Sequence, residues 1–272
     1  MGRLLIALLA ASAGFGAAAA SAHVVVATTA YGTRGLQGHG TTAFAVSCGR
    51  GFVAVSGGVA RRPREASLLE VQPLDARSFA FRFANPGAAA RVTAAVACRK
   101  SSGRGPELRT TRVERRLVVP ANGFASAALR CPRQTTPAGS GADVRGAGLT
   151  VRRAVANLHA FAFTVRNGTQ NATSVALYGT CLTAVREAGA AVEPLRVELS
   201  SFTDLVAPGS RAVRHACRKG WTSLGTGYRL GRPALGVRAA VAVGATGRWR
   251  VENRSQTDAT VVLQLLCARL GS

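Results

Sequence analysis

With 272 residues, the chain is long enough for one or two ordinary domains, and 35 Lys and Arg against 12 Asp and Glu give it a formal net charge of +23. So few carboxylates argue against calcium sites and against catalysis by paired acids. The arginine excess has two readings. It attracts polyanions such as teichoic acid, anionic lipid, nucleic acid or acidic polysaccharide, or it reflects the codon bias of a high-GC genome. Scarce lysine favours codon bias, whereas the shortage of acids favours a role for the charge.

The chain begins with the features of a secretory signal peptide. Arg3 is followed by an apolar run from Leu4 to Leu9 and by small residues up to Ala20-Ser21-Ala22, which form an A-x-A cleavage site. The apolar run is too short to span a bilayer, and no other stretch is apolar for long enough. We therefore expect residues 1–22 to be a signal peptide. The mature protein is then secreted, extracellular or associated with the cell envelope.

Six cysteines indicate a threefold repeat. They form three pairs with a constant separation of 50 residues: Cys48 with Cys98, Cys131 with Cys181, and Cys217 with Cys267. The CxxC and CxxH spacings of structural zinc sites are absent from the sequence, and an exported chain retains disulfides. Three modules are therefore predicted, each stapled by one disulfide, with boundaries at 23–103, 104–190 and 191–272. Modules of about 80 residues build only marginal cores, which a disulfide would support.

Matched glycines punctuate the first half of each module. One glycine lies eight residues before each first cysteine and predicts a hairpin turn with positive φ: Gly40, Gly123 and Gly209. Another lies ten residues after each first cysteine: Gly58, Gly141 and Gly227. In the first copy the sequence predicts a strand that ends in a turn at Gly57-Gly58. In the second copy, the Pro, Thr and Gly of residues 132–143 predict a loop or disorder. The middle of each module is predicted to add one or two further strands.

The last third of each module gives the clearest pattern, a strand of period two followed by a turn. Its inward residues are Phe79, Phe81 and Phe83; Phe161, Phe163 and Val165; and Gly247, Trp249 and Val251. An asparagine then begins each turn, since Asn readily bonds its own backbone: Asn85, Asn167 and Asn253. The closing strand places its apolar residues on the same face as the cysteine. This pattern predicts a disulfide buried against the aromatic row, with arginines on the outer face.

The combined pattern resembles uncharacterised exported repeat proteins of actinobacterial type, whose modules read CPxG…GG…W…N…AxC. Three marks of that pattern recur here: the cysteine–glycine spacing of Cys48 with Gly51, the pair Gly57-Gly58, and Trp249. Cys217 with Gly220 repeats the spacing, and Cys131-Pro132 keeps the proline. The ending departs from the pattern, because Val96, Gly179 and Leu265 stand where the alanine would be. The resemblance implies export and a β fold, and it implies no activity.

No catalytic or metal-binding pattern recurs among the three modules. The GxSxG, HExxH and P-loop motifs are absent from the sequence, and the four histidines occupy unmatched places. We therefore expect a protein that is not an enzyme and that has no cofactor or metal. One alternative is a copper site: cleavage after Ala22 would make His23 the N-terminus, with His39 or His159 as a second ligand. His215 is predicted to be a partly buried strand residue.

These patterns predict an all-β protein of three tandem disulfide-stapled modules. Each is a small sandwich or Greek-key sheet, or the three close around a pseudo-threefold axis as in a β-prism. The predicted function is non-enzymatic binding to an anionic polymer or cell-wall surface, with Arg82, Arg166 and Arg250 as the contacts and no specific nucleic acid as a partner. The alternative is an array of carbohydrate-binding modules, in which exposed aromatic residues would supply the affinity. A structural surface protein without a ligand is the third class.

Overall fold

The structure, a computed structural model, describes residues 25–102, 106–146, 148–185, 192–193 and 195–270. The predicted signal peptide, His23 and both predicted module boundaries (103/104 and 190/191) lie outside the described residues. Within these ranges the chain is all-β, which confirms the predicted fold class. The described residues contain no helix that is long and apolar enough to cross a membrane.

Each repeat supplies six main strands in the same order. Repeat 1 contains β1 (Val25–Leu36), β2 (Gly40–Ser47), β3 (Val53–Arg61), β4 (Ser67–Pro73), β5 (Ser78–Asn85) and β6 (Ala90–Ser101). Repeat 2 contains β7 (Glu107–Val119), β8 (Phe124–Arg130), β9 (Thr136–Asp143), β10 (Leu149–Ala156), β11 (Ala160–Asn167) and β12 (Thr173–Val185). The two-residue strand β13 (Val192–Glu193) follows. Repeat 3 contains β14 (Leu195–Val206), β15 (Gly209–Ala216), β16 (Thr222–Leu230), β17 (Leu235–Val243), β18 (Thr246–Asn253) and β19 (Ala259–Leu270).

The three large sheets are each shared between two repeats. Sheet A has the order β1-β6-β3-β17-β18-β15, and sheet C has the order β14-β19-β16-β10-β11-β8. Sheet B joins β12-β9 to β4-β5-β2, with β7 and β13 also pairing with β12. Each repeat thus gives its first, third and sixth strands to one sheet and its second, fourth and fifth to another. The repeats close in a ring, which is the pseudo-threefold arrangement.

Each repeat also encloses its own hydrophobic core between its two half-sheets. In repeat 1 the buried rings of Phe79, Phe81 and Phe83 pack in one cluster with Cys48 and Cys98. Repeats 2 and 3 have corresponding clusters. The three predicted disulfides are present, with Cα–Cα distances of 5.7, 5.7 and 5.8 Å. The predicted placement of the disulfide against the aromatic row is therefore confirmed. Bonds of this kind are typical of a non-reducing compartment.

A fourth core lies where the three repeats meet. It includes Val55, Ala138 and Leu224, which occupy matched positions in β3, β9 and β16. Arg99 enters the same region and is fully buried. Its guanidinium donates to the carbonyl oxygens of Ser223 (Nε, 2.8 Å) and Thr28 (3.0 Å), and burial lowers its pKa to about 9. Arg99 thereby ties repeat 1 to repeat 3.

The three predicted asparagine turns are confirmed. Asn167 is fully buried; its Nδ2 donates to the carbonyl oxygens of Val119 (3.2 Å) and Asn171 (2.8 Å), and its Oδ1 accepts from the Thr169 amide (2.9 Å). Asn85 and Asn253 make corresponding bonds. Each asparagine thus fixes the turn after the aromatic strand to the end of the first strand of its own repeat.

Three local predictions are wrong. Residues 132–143 include strand β9, because pairing with β12 supplies partners that the local sequence does not reveal. No turn forms at Gly57-Gly58, since β3 continues through both residues to Arg61. The hairpin turns are present, but only Gly209 of the three predicted glycines has a positive φ (110°). In the other two copies the preceding residue has it, namely His39 (55°) and Asn122 (48°).

The glycines that lie ten residues after each first cysteine allow neighbouring repeats to approach. A Cβ atom on Gly58 would lie 2.0 Å from the Ala240 carbonyl oxygen of β17. One on Gly141 would lie 2.1 Å from the carbonyl oxygen of Val71, and one on Gly227 would lie 2.6 Å from that of Ala154. Each glycine therefore faces the fourth strand of another repeat at a position where a side chain would prevent the sheet from continuing.

Candidate functional site

The three arginines that the sequence proposes as polymer contacts lie in three different sheets. Arg82 is in β5 of sheet B, Arg166 in β11 of sheet C and Arg250 in β18 of sheet A. Arg166 and Arg250 are exposed. Arg82 is 36% exposed, and its Nε lies 3.1 Å from Oε2 of Glu70, a carboxylate that is 8% exposed. Arg82 is therefore engaged in an ion pair, whereas the other two are available at the surface.

Arg250 belongs to a cluster of exposed arginines, which we call the sheet A patch: Arg214, Arg248 and Arg250. Arg248 and Arg250 alternate with the buried Trp249, as the sequence predicts for a core tryptophan with a basic outer face. Arg214 of β15 lies directly opposite Arg248 in the antiparallel register, so their side chains share one face. Within the described residues, these arginines form no ion pair with a carboxylate.

A second group of arginines lies on sheet C, which also contains Arg166. Arg153 of β10 lies opposite Arg229 of β16, where repeat 2 meets repeat 3. Like charges in directly opposed positions destabilise a sheet. The Nε of Arg153 is buried and has no hydrogen-bond partner among the described residues. The sheet C junction between these two repeats therefore contains two opposed arginines and one unpaired Nε atom.

The corresponding junction of sheet B has the opposite chemistry. Glu70 of β4 lies opposite Asp143 of β9, and both carboxylates are buried. Arg82 pairs with Glu70, and Arg145 binds Asp143 (Nε–Oδ2, 2.8 Å). At this junction of sheet B, each of the two buried acids is therefore paired with an arginine.

A cavity of about 390 Å³ lies between the repeats, on the pseudo-threefold axis. Its walls come mainly from the third and fourth strands of all three repeats, and they combine apolar residues, such as Val59, Leu149 and Leu235, with polar groups. Four arginines line it, and no Asp or Glu does so among the described residues: Arg62, Arg152, Arg238 and Arg254. We call this the axial cavity.

The four arginines of the axial cavity have different partners. Arg152 donates to the carbonyl oxygens of Leu235 (3.0 Å) and Leu230 (3.3 Å). Arg238 and Arg254 both bind Oε2 of Glu252, at 3.2 and 2.9 Å. Burial alone would raise the pKa of Glu252, but the hydrogen bonds from Arg254 and Arg238 outweigh it and lower that pKa.

Arg62 is the exception among these cations. Its Nε is buried without a hydrogen-bond partner among the described residues, and its one weak bond runs from Nη2 to the carbonyl oxygen of Val237 at 3.4 Å. Burial, and next the charge of Arg238, lower the pKa of Arg62 to about 10, so the guanidinium keeps its charge at neutral pH. Tyr228 also lines the cavity, and burial raises its pKa to about 12.

The histidines are scattered, as their sequence positions imply. His215 is partly buried, with Nε2 3.0 Å from Ser200 Oγ and its ring centroid 4.5 Å from that of Phe202. The prediction of a partly buried strand residue is therefore confirmed. His39 and His159 are exposed, and no group of three His, Cys, Asp or Glu that could hold a metal occurs among the described residues. Because His23 lies outside them, the copper alternative stays a prediction.

No protein-family model matches the chain, and no curated protein sequence does so. The resemblance to exported repeat proteins therefore stays a prediction, and function has to be argued from geometry. Sequence reasoning placed Arg166 and Arg250 on the outer face of their strands, where they are exposed, but it missed the axial cavity and the acidic partner of Arg82. The alternation of Arg248 and Arg250 around a core tryptophan was the available signal for the sheet A patch.

Proposed function

We propose that the protein is an exported, non-enzymatic binding protein that associates with anionic polymers of the cell envelope or extracellular space. The observation that carries this proposal is the sheet A patch, where Arg214, Arg248 and Arg250 are exposed on one face and form no ion pair within the described residues. Codon bias would account for many arginines, but it does not require three of them to lie together on one face of a sheet with no carboxylate partner within the described residues.

The geometry of the patch suits a flexible polyanion. Residues i and i+2 of a strand are about 7 Å apart, and opposed residues on neighbouring strands are about 5 Å apart. Arg248 and Arg250 are related in the first way, and Arg214 and Arg248 in the second. Successive phosphate or carboxylate groups of one polymer can therefore contact several guanidinium groups at once, and each guanidinium can bind such a group in a bidentate manner.

A variant comparison tests this proposal. We expect the triple variant Arg214→Ser/Arg248→Ser/Arg250→Ser to lose most of its affinity for teichoic acid, measured by surface plasmon resonance at low salt. The control has the same change in net charge at scattered exposed arginines: Arg50→Ser/Arg91→Ser/Arg133→Ser. Equal losses in both variants would show that net charge, and not the patch, governs binding. That result would refute the site assignment.

Arg82 is omitted from the test because its removal has a structural cost. Replacing it would leave the buried Glu70 without its ion-pair partner, and breaking a buried pair in this way is strongly destabilising. The carbohydrate-binding alternative draws less support from the geometry, because the matched aromatic rows lie in the cores. Exposed rings such as Tyr31 and Phe124 lie apart, on β1 of sheet A and β8 of sheet C.

A further inference from the structure

The axial cavity has the size and composition of a small-molecule site. Its volume of about 390 Å³ falls within the range of roughly 300–1,000 Å³ that is typical of ligand pockets. Such pockets combine apolar walls with a few convergent polar groups. The axial cavity follows this pattern, with arginines, hydroxyl groups and a majority of apolar lining residues drawn from all three repeats.

The charge of the cavity is unbalanced in favour of an anion. Glu252 lies beside it and neutralises only part of the charge, because it is shared by Arg238 and Arg254 and also by Arg64 at 3.3 Å. Arg152 is satisfied by backbone carbonyl groups, which leave its charge in place. Excess positive charge in the cavity favours an anionic ligand, because opposite charges attract one another.

Arg62 supplies a donor that lacks a partner, and Tyr228 adds a hydroxyl group. A buried guanidinium nitrogen without a hydrogen-bond acceptor costs free energy, and that cost is recovered when a ligand supplies the acceptor. Arg62 Nε is such a group, and Nη2 makes only the long bond to Val237. Both side chains line the same cavity, Arg62 from repeat 1 and Tyr228 from repeat 3.

We propose that the axial cavity binds a small organic acid, with its carboxylate held by Arg62 and Tyr228 and its apolar body against the walls supplied by the three repeats. The planar fork of a guanidinium matches the two oxygens of a carboxylate. A ligand with a hydrocarbon body can contact the apolar residues of the walls, which inorganic phosphate cannot do. This site is separate from the sheet A patch, so an experiment can refute either proposal without refuting the other.

The test uses octanoate as the probe, octanamide as its neutral isostere and inorganic phosphate as the competing anion. Binding to the oxidised protein is followed by isothermal titration calorimetry and by the shift in Tm that a ligand causes. We expect octanoate to bind about tenfold or more tightly than octanamide, since a charged hydrogen bond to Arg62 is lost in the amide. We expect phosphate to bind more weakly than octanoate.

Two variants and one control assign the residues. Arg62→Met should weaken octanoate binding by about tenfold or more, while the unliganded protein keeps or raises its Tm because a buried Nε without a partner is removed. Tyr228→Phe should weaken binding by roughly three- to tenfold. Arg64→Gln removes a cation that is 74% exposed and two residues away, and it should leave binding unchanged.

Three results would each overturn the proposal. The first is equal affinity for octanoate and octanamide, the second is full octanoate affinity in Arg62→Met, and the third is tighter binding of phosphate than of octanoate. If Arg62→Met fails to fold, Tyr228→Phe and the comparison of octanoate with octanamide on the unmodified protein decide the matter. Octanoate binding that is lost in Arg62→Met and retained in the sheet A triple variant would support two separate sites.

Discussion

Replacing Gly58 by alanine tests the junction between repeat 1 and repeat 3. The new Cβ atom would lie 2.0 Å from the Ala240 carbonyl oxygen and 3.3 Å from the Val241 Cα. Both are backbone atoms, so no side-chain rotation can relieve the overlap. Strand β17 would have to move by more than about 1 Å to restore ordinary contact. Strands β3 and β17 are paired at one position, Val59 with Ala240. Few other backbone hydrogen bonds therefore oppose a movement of β17 away from β3.

Overpacking of this kind typically costs about 1–3 kcal/mol, and the backbone overlap places Gly58→Ala near the upper end. At ~2–4 °C per kcal/mol for a chain of this size, the expected fall in Tm is about 6–12 °C. Differential scanning calorimetry measures it directly. The matched control is Gly35→Ala in β1 of the same sheet, where nothing lies within 4 Å of the added atom. We expect that control to be neutral or stabilising by about 0.5 kcal/mol. Equal Tm values for the two variants would refute the close approach at the junction.

Three further predictions concern stability. Glu252→Gln should cost about 3 kcal/mol at pH 7, because it leaves the buried Arg238 without its counter-charge. The pKa of Glu252 is lowered in the folded state, so its contribution to the free energy of unfolding is present above its ordinary pKa. That contribution is lost as the pH falls through the pKa of the folded state. Urea titrations between pH 7 and 3 should therefore show a shallower loss of stability in the variant than in the unmodified protein. Asn167→Ala should cost about 2–3 kcal/mol by chemical denaturation, since it leaves buried carbonyl groups unpaired, whereas Asn171→Ala, at an exposed position, should be neutral. Reduction of the disulfides should lower the Tm steeply, because each closes a loop of 50 residues and contributes roughly 4 kcal/mol; a Tm insensitive to reductant would contradict this.

The features that could be predicted from the sequence are those that recur locally in each repeat. The cysteine pairs, the alternating aromatic strand and the asparagine turns each depend on residues within one module. The turns could be predicted from the asparagines themselves, because each asparagine side chain accepts a hydrogen bond from the backbone of the turn that it begins: Asn85, Asn167 and Asn253. Threefold recurrence strengthened each of these patterns, because coincidence in three copies is improbable.

The features that could not be predicted depend on how the repeats join. Strand β9 is formed by a segment of Pro, Thr and Gly because β12 pairs with it along most of its length. The partner of Arg82 is Glu70, and no acid occupies the corresponding junctions between the other repeats. Those junctions contain Arg153 opposite Arg229 and Val59 opposite Ala240. The axial cavity exists only after three modules close into a ring. No periodicity within one module contains that information.

The measurement that tests the central claim most directly is the salt dependence of binding to teichoic acid, with neutral dextran as the comparison. Binding driven by the sheet A patch should weaken steeply between about 50 and about 300 mM salt, with a slope that falls by roughly three when its three arginines are replaced. Dextran should not bind at either salt concentration. Salt-insensitive binding to both polymers would contradict the electrostatic account and support a shaped carbohydrate site. The absence of binding to teichoic acid even at low salt would show that the exposed arginines serve no polymer of this class.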